Sequence, residues 1–186
     1  MLNPAKCNLA DNLKSLRIMR NSILTAVFAG ICCSACTAET TTTSLSVPSA
    51  DKKAGITLQL PVGSKTYVCK DGSVSIDAPK ASAHIQVWAL SQSSVEDAVK
   101  QVADLVKSQV TKFKVTESKT IRVAGADGKQ LTGTGDEADD GDPSNADVYL
   151  FTVEGKVFMI CAHGEGDSSV KSRATLTAML ASVKKS

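Results

Sequence analysis

Along residues 55–186, short runs of alternating hydrophobic and polar residues predict strands. Ile56, Leu58 and Leu60 alternate with polar neighbours, which is the pattern of a strand with one buried face. Similar runs follow, separated by turn-forming Gly, Pro and Asp residues, at 66–70, 74–76 and 84–90. These segments predict an opening antiparallel meander.

Two stretches have hydrophobic residues at helical spacing and predict helices that can pack on a sheet. Ser93 stands three residues before Glu96, a capping box that marks a helix start. The stripe that follows consists of Val95, Val99, Val102, Val106 and Val110. Near the C-terminus, Asp167 or Ser168 can cap a second helix. Its apolar face consists of Val170, Ala174, Leu176, Thr177, Leu180, Ala181 and Val183.

Between the two helices, four strand-like runs are joined by tight-turn dipeptides. Asp127-Gly128 and Glu154-Gly155 each separate two such runs, as the two-residue turns of β-hairpins do. The four runs are 113–123, 129–135, 148–153 and 157–163. Hairpin-length connections leave no room for the long crossovers that parallel strands need. The predicted fold class is therefore α+β, an antiparallel β-sheet with two helices packed on one face.

The order of these elements resembles the PsbP-like and DcrB-like fold of small exported lipoproteins. In that layout the first helix follows an opening meander and the second helix ends the chain. The resemblance covers about residues 56–184, and it rests on topology, on the hairpin around Asp127-Gly128 and on the strand 157–162. It implies an accessory or ligand-binding role, and it brings no catalytic residue with it.

The first part of the chain has the composition of an export signal. A mostly apolar run, 23–36, follows a basic segment that ends at Arg20, which is the order found in signal peptides. The run is shorter than the roughly 20 apolar residues that span a bilayer as a helix. The sequence therefore predicts that residues 1–35 are a signal segment. Met19 offers a second start, in which case residues 1–18 are a misassigned upstream extension.

The end of the apolar run resembles bacterial lipoprotein signals, in which small residues precede a cysteine that receives a diacylglyceryl group. Ser34 and Ala35 precede Cys36, whereas the bulky Ile31 stands before the two earlier cysteines. We therefore expect lipidation of Cys36. Cys33 occupies the position where that family usually has an aliphatic residue. Ordinary signal cleavage, which would leave a secreted domain, is therefore the alternative.

Residues 36–54 are rich in Thr and Ser and predict a flexible tether, and residues 55–186 predict a single domain. Four of the 21 basic residues but only one of the 19 acidic residues lie in the signal segment, so the exported part is nearly neutral. Such a balance gives no field for capturing nucleic acid. We expect a cell-envelope protein that a lipid anchors in a membrane and that faces the periplasm. Thr37, after the lipidated cysteine, favours the outer membrane.

The reactive residues of the domain are few: His84, His163, Cys69 and Cys161. Cys161 and His163 are two apart on a predicted strand and so face the same side. The pair lacks a third, orienting group, so we expect core packing and no catalytic residue. We expect no metal site either, because these four residues lack the close spacing of zinc ligands.

The expected role is therefore a non-enzymatic binding or accessory domain that needs no cofactor and contacts an envelope protein or a small ligand. One alternative is a small-ligand carrier with an apolar cavity between the helices and the sheet. The other is a hydrolase or metal-dependent enzyme that uses Cys161 and His163 or the acidic loop at 136–142.

The acidic loop has part of a calcium-binding pattern. Asp136, Asp140, Gly141 and Asp147 fall at positions 1, 5, 6 and 12 of a calcium loop. Ala138 occupies the third ligand position, and the loop joins predicted strands rather than helices. We therefore expect a solvated connection that its charges keep soluble.

Cys69 and Cys161 are the cysteines of the predicted domain, and they lie in an oxidising compartment if the chain is exported. A disulfide between them would close a loop of about 90 residues and contribute about 4 kcal/mol on the chain-entropy model. The sequence does not fix whether their strands are neighbours. The sequence therefore leaves open whether Cys69 and Cys161 form a disulfide or remain two buried thiols.

Overall fold

The computed structural model describes residues 43–48, 55–79 and 81–186 of the chain. The predicted signal segment and Cys36 lie outside the described residues. The elements are β1 (Thr43–Pro48), β2 (Gly55–Leu60), β3 (Lys65–Val68), β4 (Val74–Asp77), β5 (His84–Ala89), α1 (Val95–Lys100), α2 (Val102–Leu105), β6 (Val110–Val123), β7 (Ala126–Glu137), β8 (Pro143–Val153), β9 (Lys156–Glu165), α3 (Ser168–Ala181) and β10 (Lys184–Lys185). None of the helices in the described ranges combines the length and the hydropathy needed to cross a membrane.

Seven strands form one antiparallel sheet in the order β3-β4-β5-β9-β8-β7-β6. Three of the four strands of the predicted meander pair in order as β3-β4-β5, and β5 pairs with β9, which joins them to the later strands. The first predicted strand, 56–60, is wrong as a part of this meander, because β2 belongs to a separate small sheet. The later strands are neighbours in chain order from β6 to β9, each pair antiparallel. The predicted α+β class and the predicted antiparallel sheet are confirmed.

Two hairpin turns connect the long strands. Glu154 and Gly155 have φ values of 49° and 73°, so the predicted turn has the left-handed conformation typical of two-residue hairpin loops. The other turn is at Ala124-Gly125 and not at the predicted Asp127-Gly128. Gly128 is instead inside β7, where an added Cβ would lie 2.5 Å from the backbone oxygen of Leu150. Glycine there allows the close approach of β8 rather than a turn.

The helices lie on opposite faces of the large sheet, which corrects the expectation of two helices on one face. Phe158 and Ile160 of β9 belong to one buried cluster with Leu176 of α3. Met159, between them, belongs to a second cluster with Val102 of α2. Successive side chains of a strand point to opposite faces. Because β9 is hydrophobic at both sets of positions, both of its faces need a cover, and one helix layer cannot supply it.

A small antiparallel sheet, β1-β2-β10, packs on the same face as α3. Its core residues include Val47, Ile56 and Leu58, each fully buried. Thr43–Pro48 lies within the predicted tether but forms β1, which pairs with β2 along its whole length. The folded domain therefore begins earlier than the sequence pattern indicates.

The first predicted helix is divided into two short ones. Ser94, not Ser93, is the N-cap, and its hydroxyl oxygen accepts a hydrogen bond from the backbone N–H of Asp97 at 3.1 Å. Gln101 separates α1 from α2. Val95, Val102 and Val106 of the predicted valine stripe share the second cluster. Val110 lies in β6, so the expectation that the helix extends to it is wrong.

Candidate functional site

The two histidines of the chain stand side by side at one end of the large sheet. His84 begins β5 and is directly opposite His163 near the end of β9. Their rings stack with centroids 5.5 Å apart and an angle of 29° between the ring planes. His163 is buried, whereas His84 is exposed. The pair therefore joins the inside of the domain to its surface.

Each ring nitrogen of His163 has a partner from a different element. Nδ1 lies 2.8 Å from Oε2 of Glu137 at the end of β7. Nε2 lies 3.2 Å from Oε1 of Gln109, which precedes β6. A backbone hydrogen bond from Ala138 N–H to the carbonyl of Gln109, at 2.9 Å, holds these two partners beside each other. His163 is thus held in one orientation from two sides.

A serine completes the arrangement. The hydroxyl of Ser144, on β8, donates to Oε1 of Glu137 at 2.5 Å and accepts from the backbone N–H of Gly164 at 3.2 Å. The order is therefore serine, carboxylate, imidazole. A nucleophilic triad has the imidazole in the middle, where it takes the serine proton. Ser144 here orients the carboxylate instead.

Burial alone would raise the pKa of Glu137, but hydrogen bonds from His163 and Ser144 outweigh it. The positive fields of His163 and His84 act in the same direction, so the pKa of the Glu137 carboxyl lies below its usual value. Glu137 is therefore ionised at neutral pH. The amide oxygen of Gln109 faces Nε2, so both ring nitrogens of His163 lie against acceptor oxygens.

A cavity of about 380 Å³ opens above these groups. Its walls are rich in hydroxyl and carboxylate groups. The hydroxyl-bearing residues are Tyr67, Ser75, Ser82 and Ser168, and the carboxylates are Glu137, Asp139, Asp140 and Glu165. This cavity, which we call the histidine pocket, lies at the end of the sheet and is polar. It is not the apolar cavity between helix and sheet that a carrier would need.

Cys161 shares its strand face with His163, but the structure separates their environments. Cys161 is fully buried in the cluster beneath α1 and α2. Burial, followed by the negative fields of Glu137 and Asp147, raises the pKa of the Cys161 thiol far above its usual value. A thiolate is the reactive form of cysteine, so this thiol is not set up as a nucleophile.

Cys69 and Cys161 are both buried thiols in the structure. Gln86 lies between them: it is opposite Cys161 in the pairing of β5 with β9, and its Nε2 lies 3.8 Å from the sulfur of Cys69. The same Nε2 donates to the hydroxyl of Ser73 at 2.5 Å. The amide of Gln86, on β5, therefore lies against Cys69, which follows β3, while Cys161 belongs to the neighbouring strand β9.

The calcium pattern does not converge in space. Asp136 forms an ion pair with Lys112 at 2.7 Å. Asp147 is fully buried on the other face, where the guanidinium of Arg173 on α3 holds both its oxygens, with Nε to Oδ2 at 2.8 Å and Nη2 to Oδ1 at 3.0 Å. Asp140 remains at the rim of the histidine pocket. The three aspartates of the calcium pattern therefore lie in three different environments and do not form one site.

Asp140, Asp142 and Glu165 do place one carboxylate oxygen each within 4.8 Å of one another. All three are exposed. Glu165 comes from the C-terminal end of β9, two residues after His163.

Sequence reasoning missed Glu137, Gln109 and Ser144, which build the site around His163. Glu137 was within the acidic stretch, but its neighbours there gave no reason to prefer it. Its role depends on the pairing of β7 with β8 and of β8 with β9, which brings Ser144 and His163 beside it. Polar residues near the ends of three consecutive predicted strands are the sequence feature that could have indicated this site.

The fold is similar to that of two solved structures that match most of this chain and most of their own length. LpqN of Mycobacterium tuberculosis, described as involved in cell envelope biogenesis, matches with a TM-score of 0.51 and 12% identity over 78% of this chain and 92% of its own. The cyanobacterial PsbP protein CyanoP of Synechocystis sp. PCC 6803 also matches with a TM-score of 0.51 and 12% identity, over 82% and 98%. The chain therefore has a PsbP-like fold.

A structure from Bacteroides thetaiotaomicron matches with a TM-score of 0.45 and 10% identity. This chain covers 44% of that structure's length, and 69% of this chain is matched. No family model matches the sequence, and no curated protein matches it.

Proposed function

We propose that the protein is a cell-envelope lipoprotein whose domain is a non-enzymatic accessory module and binds another envelope component at the histidine pocket. The observation that carries this proposal is the fixed orientation of His163 between Glu137 and Gln109 at the floor of an open cavity. Groups that are held in place before a ligand arrives lose little entropy when they bind it. The site is thus prepared for recognition.

The same contacts argue for binding over hydrolysis. The hydroxyl of Ser144 donates its hydrogen bond to Glu137 rather than to His163, and the thiol of Cys161 is in the core. The imidazole that serves as the base of a nucleophilic triad is therefore not a partner of Ser144, and burial keeps the Cys161 thiol from the reactive thiolate form. The likeness to LpqN and CyanoP is a likeness of fold, and it agrees with an accessory role without specifying one.

The proposed anchor sets where the domain acts. Cys36 precedes the first residue of β1, Thr43, by seven positions. Seven residues of extended chain span at most ~25 Å. A diacylglyceryl group on Cys36 would therefore hold the small sheet close to the membrane surface, facing the periplasm, with the outer membrane favoured.

Filling the pocket tests the proposal. In Ser75→Trp a large side chain replaces a hydroxyl on the pocket wall. Ser118→Trp, at an exposed position of β6, is the matched control. The two variants and the wild type are cross-linked in intact cells and recovered from envelopes. We expect the wild type and Ser118→Trp to recover the same partner and Ser75→Trp to lose it, while thermal unfolding shows that both variants are folded. Equal recovery by all three would overturn the proposal.

A further inference from the structure

The charges that line the histidine pocket are strongly unbalanced. Its lining includes four carboxylates and two histidines, and neither lysine nor arginine is among the described residues of its wall. A concave wall of one sign of charge concentrates counter-charged ligands. The imbalance therefore points to an occupant with a positive charge.

The carboxylates of the pocket differ in what already neutralises them. Glu137 is paired with His163 and Ser144 and contributes to the floor. Asp139, Asp140 and Glu165, at the rim, have no cationic partner among the described ion pairs. Nearby cations are used elsewhere: Lys112 pairs with Asp136, and Arg173 pairs with Asp147 on the opposite face of the sheet. The negative charge of the rim is available to a ligand.

The pocket also offers a flat surface and hydrogen-bonding groups. His84 stacks on His163 on one side, and its ring nitrogens have no hydrogen bond with the described residues. Tyr67 and Ser75 stand on the neighbouring strands. A planar, delocalised cation can stack on a ring and donate several hydrogen bonds at once.

The size of the cavity favours an organic group over a bare metal ion. Its volume of about 380 Å³ lies in the lower part of the range of small-molecule sites, roughly 300–1,000 Å³. An ion at the rim carboxylates would leave the histidine floor and most of this space to water. A chain that ends in an ammonium or guanidinium group can occupy the floor and the rim together.

We infer that the histidine pocket binds a guanidinium or ammonium group, with Asp139, Asp140 and Glu165 facing the charge and His84 stacking on its carrier. The inference rests on the proposed function, since it names the chemistry that the same pocket recognises. The group belongs either to a free small amine or to an Arg or Lys side chain of an envelope protein. Both sources have the same terminal chemistry.

The two histidines allow a direct test by NMR, because the chain contains only His84 and His163. The purified full chain is titrated with butylguanidine and, separately, with its neutral isostere butylurea, and the imidazole signals are followed. A second pair of probes, the blocked tripeptides Gly-Arg-Gly and Gly-citrulline-Gly, presents the same two groups on a peptide. We expect butylguanidine and the Arg peptide to shift both imidazole signals, and the neutral probes to bind at least tenfold more weakly.

Charge removal at the rim supplies the control. In the double variant Asp140→Asn, Glu165→Gln we expect at least a threefold loss of affinity for the cationic probes, since each exposed charge pair contributes modestly to binding. Asp104→Asn, an exposed residue of α2, should leave the affinity unchanged. Tighter binding of the peptide than of butylguanidine identifies a protein side chain as the source, and the reverse identifies a free amine.

Equal binding of the charged and neutral probes, no binding of either cation, or a response to Ca²⁺ alone would overturn the inference. If Ser75→Trp still abolishes recovery of the envelope partner in those cases, the proposed function stands and only the ligand chemistry is wrong. If Ser75→Trp has no effect on recovery, the proposed function fails with it.

Discussion

The carboxylate of Glu137 and the imidazole of His163 meet at 2.8 Å across the end of β8, which lies between their strands. The contact is largely buried, with 6% of the His163 side chain and 14% of the Glu137 side chain exposed. It joins residues 26 apart in the chain and forms the floor of the histidine pocket. Changes at Glu137 therefore report on both stability and binding.

Glu137→Gln should lower the free energy of unfolding at neutral pH by about 1.5–3 kcal/mol, the usual contribution of a hydrogen bond to a charged group. Urea unfolding measures the change. Glu117→Gln, at an exposed ion pair with Lys119, is the control and should change the free energy of unfolding by less than about 0.5 kcal/mol. A loss at Glu137 no larger than the loss at Glu117 would contradict the role of this contact.

The free energy of unfolding should decrease in acid, as expected when folding lowers the pKa of a carboxyl group. The pKa of Glu137 is lower in the folded state than its usual value near 4.3, so its contribution is complete above about pH 4.3. That contribution is lost as the pH falls through the lower, folded-state pKa. The wild type should therefore lose stability more steeply than Glu137→Gln below about pH 4.3. Parallel curves for the two proteins in acid would show that Glu137 has no special interaction.

Arg173 should be the residue that fixes α3 to the large sheet. Asp147 is fully buried and also accepts a hydrogen bond from the hydroxyl of Thr132 at 2.5 Å. Removing the guanidinium leaves a buried charge unpaired, so Arg173→Gln should destabilise the protein by about 3 kcal/mol in urea unfolding. Lys171→Gln, which removes an exposed ion pair with Asp167 on the same helix, should cost less than about 0.5 kcal/mol. Similar costs for the two variants would contradict this role.

Mature protein isolated from cells should contain two cysteine thiols that react with Ellman's reagent only after unfolding. Cys69 and Cys161 are buried, and burial raises the pKa of the Cys161 thiol, which keeps it protonated. The reaction is measured with and without denaturant, and without reductant. Denatured protein with no reactive thiol would indicate a disulfide between Cys69 and Cys161 instead.

Cys36→Ala should release the exported protein from membranes, because the lipid is its proposed anchor. Fractionation of cells that express the wild type or the variant measures the release. Ser34→Ala, which keeps a small residue before the cysteine, should remain membrane-bound. Unchanged membrane association of a normally cleaved Cys36→Ala protein would contradict the lipid assignment.

Local patterns predicted the elements well because strands and hairpin turns depend on near neighbours. The turn at Glu154-Gly155 and the strands around it needed only alternation and a Gly. The placement of helices on opposite faces followed from the continuous apolar run of β9, a pattern typical of a strand buried on both sides. The same run predicts a strand by its length, but only its lack of alternation indicates that both faces are buried.

The site was harder to predict because its geometry is non-local. Glu137 and Ser144 approach His163 only through the pairing of β7, β8 and β9, and Gln109 reaches it from the segment before β6. Two candidates of the sequence pattern, Cys161 and Asp147, are fully buried, and Asp147 is paired with Arg173. Residue type identified His163 as a candidate, while strand pairing decided its neighbours.

The central claim is that the histidine pocket is the surface at which the domain binds an envelope component. A photo-cross-linking amino acid placed at Ser75, in the pocket, and at Ser118, on the exposed strand β6, tests it in living cells. After irradiation, gels and intact-mass measurement should show one discrete adduct for the Ser75 probe and none for the Ser118 probe. An adduct at Ser118 alone, or the same adducts at both positions, would contradict the claim.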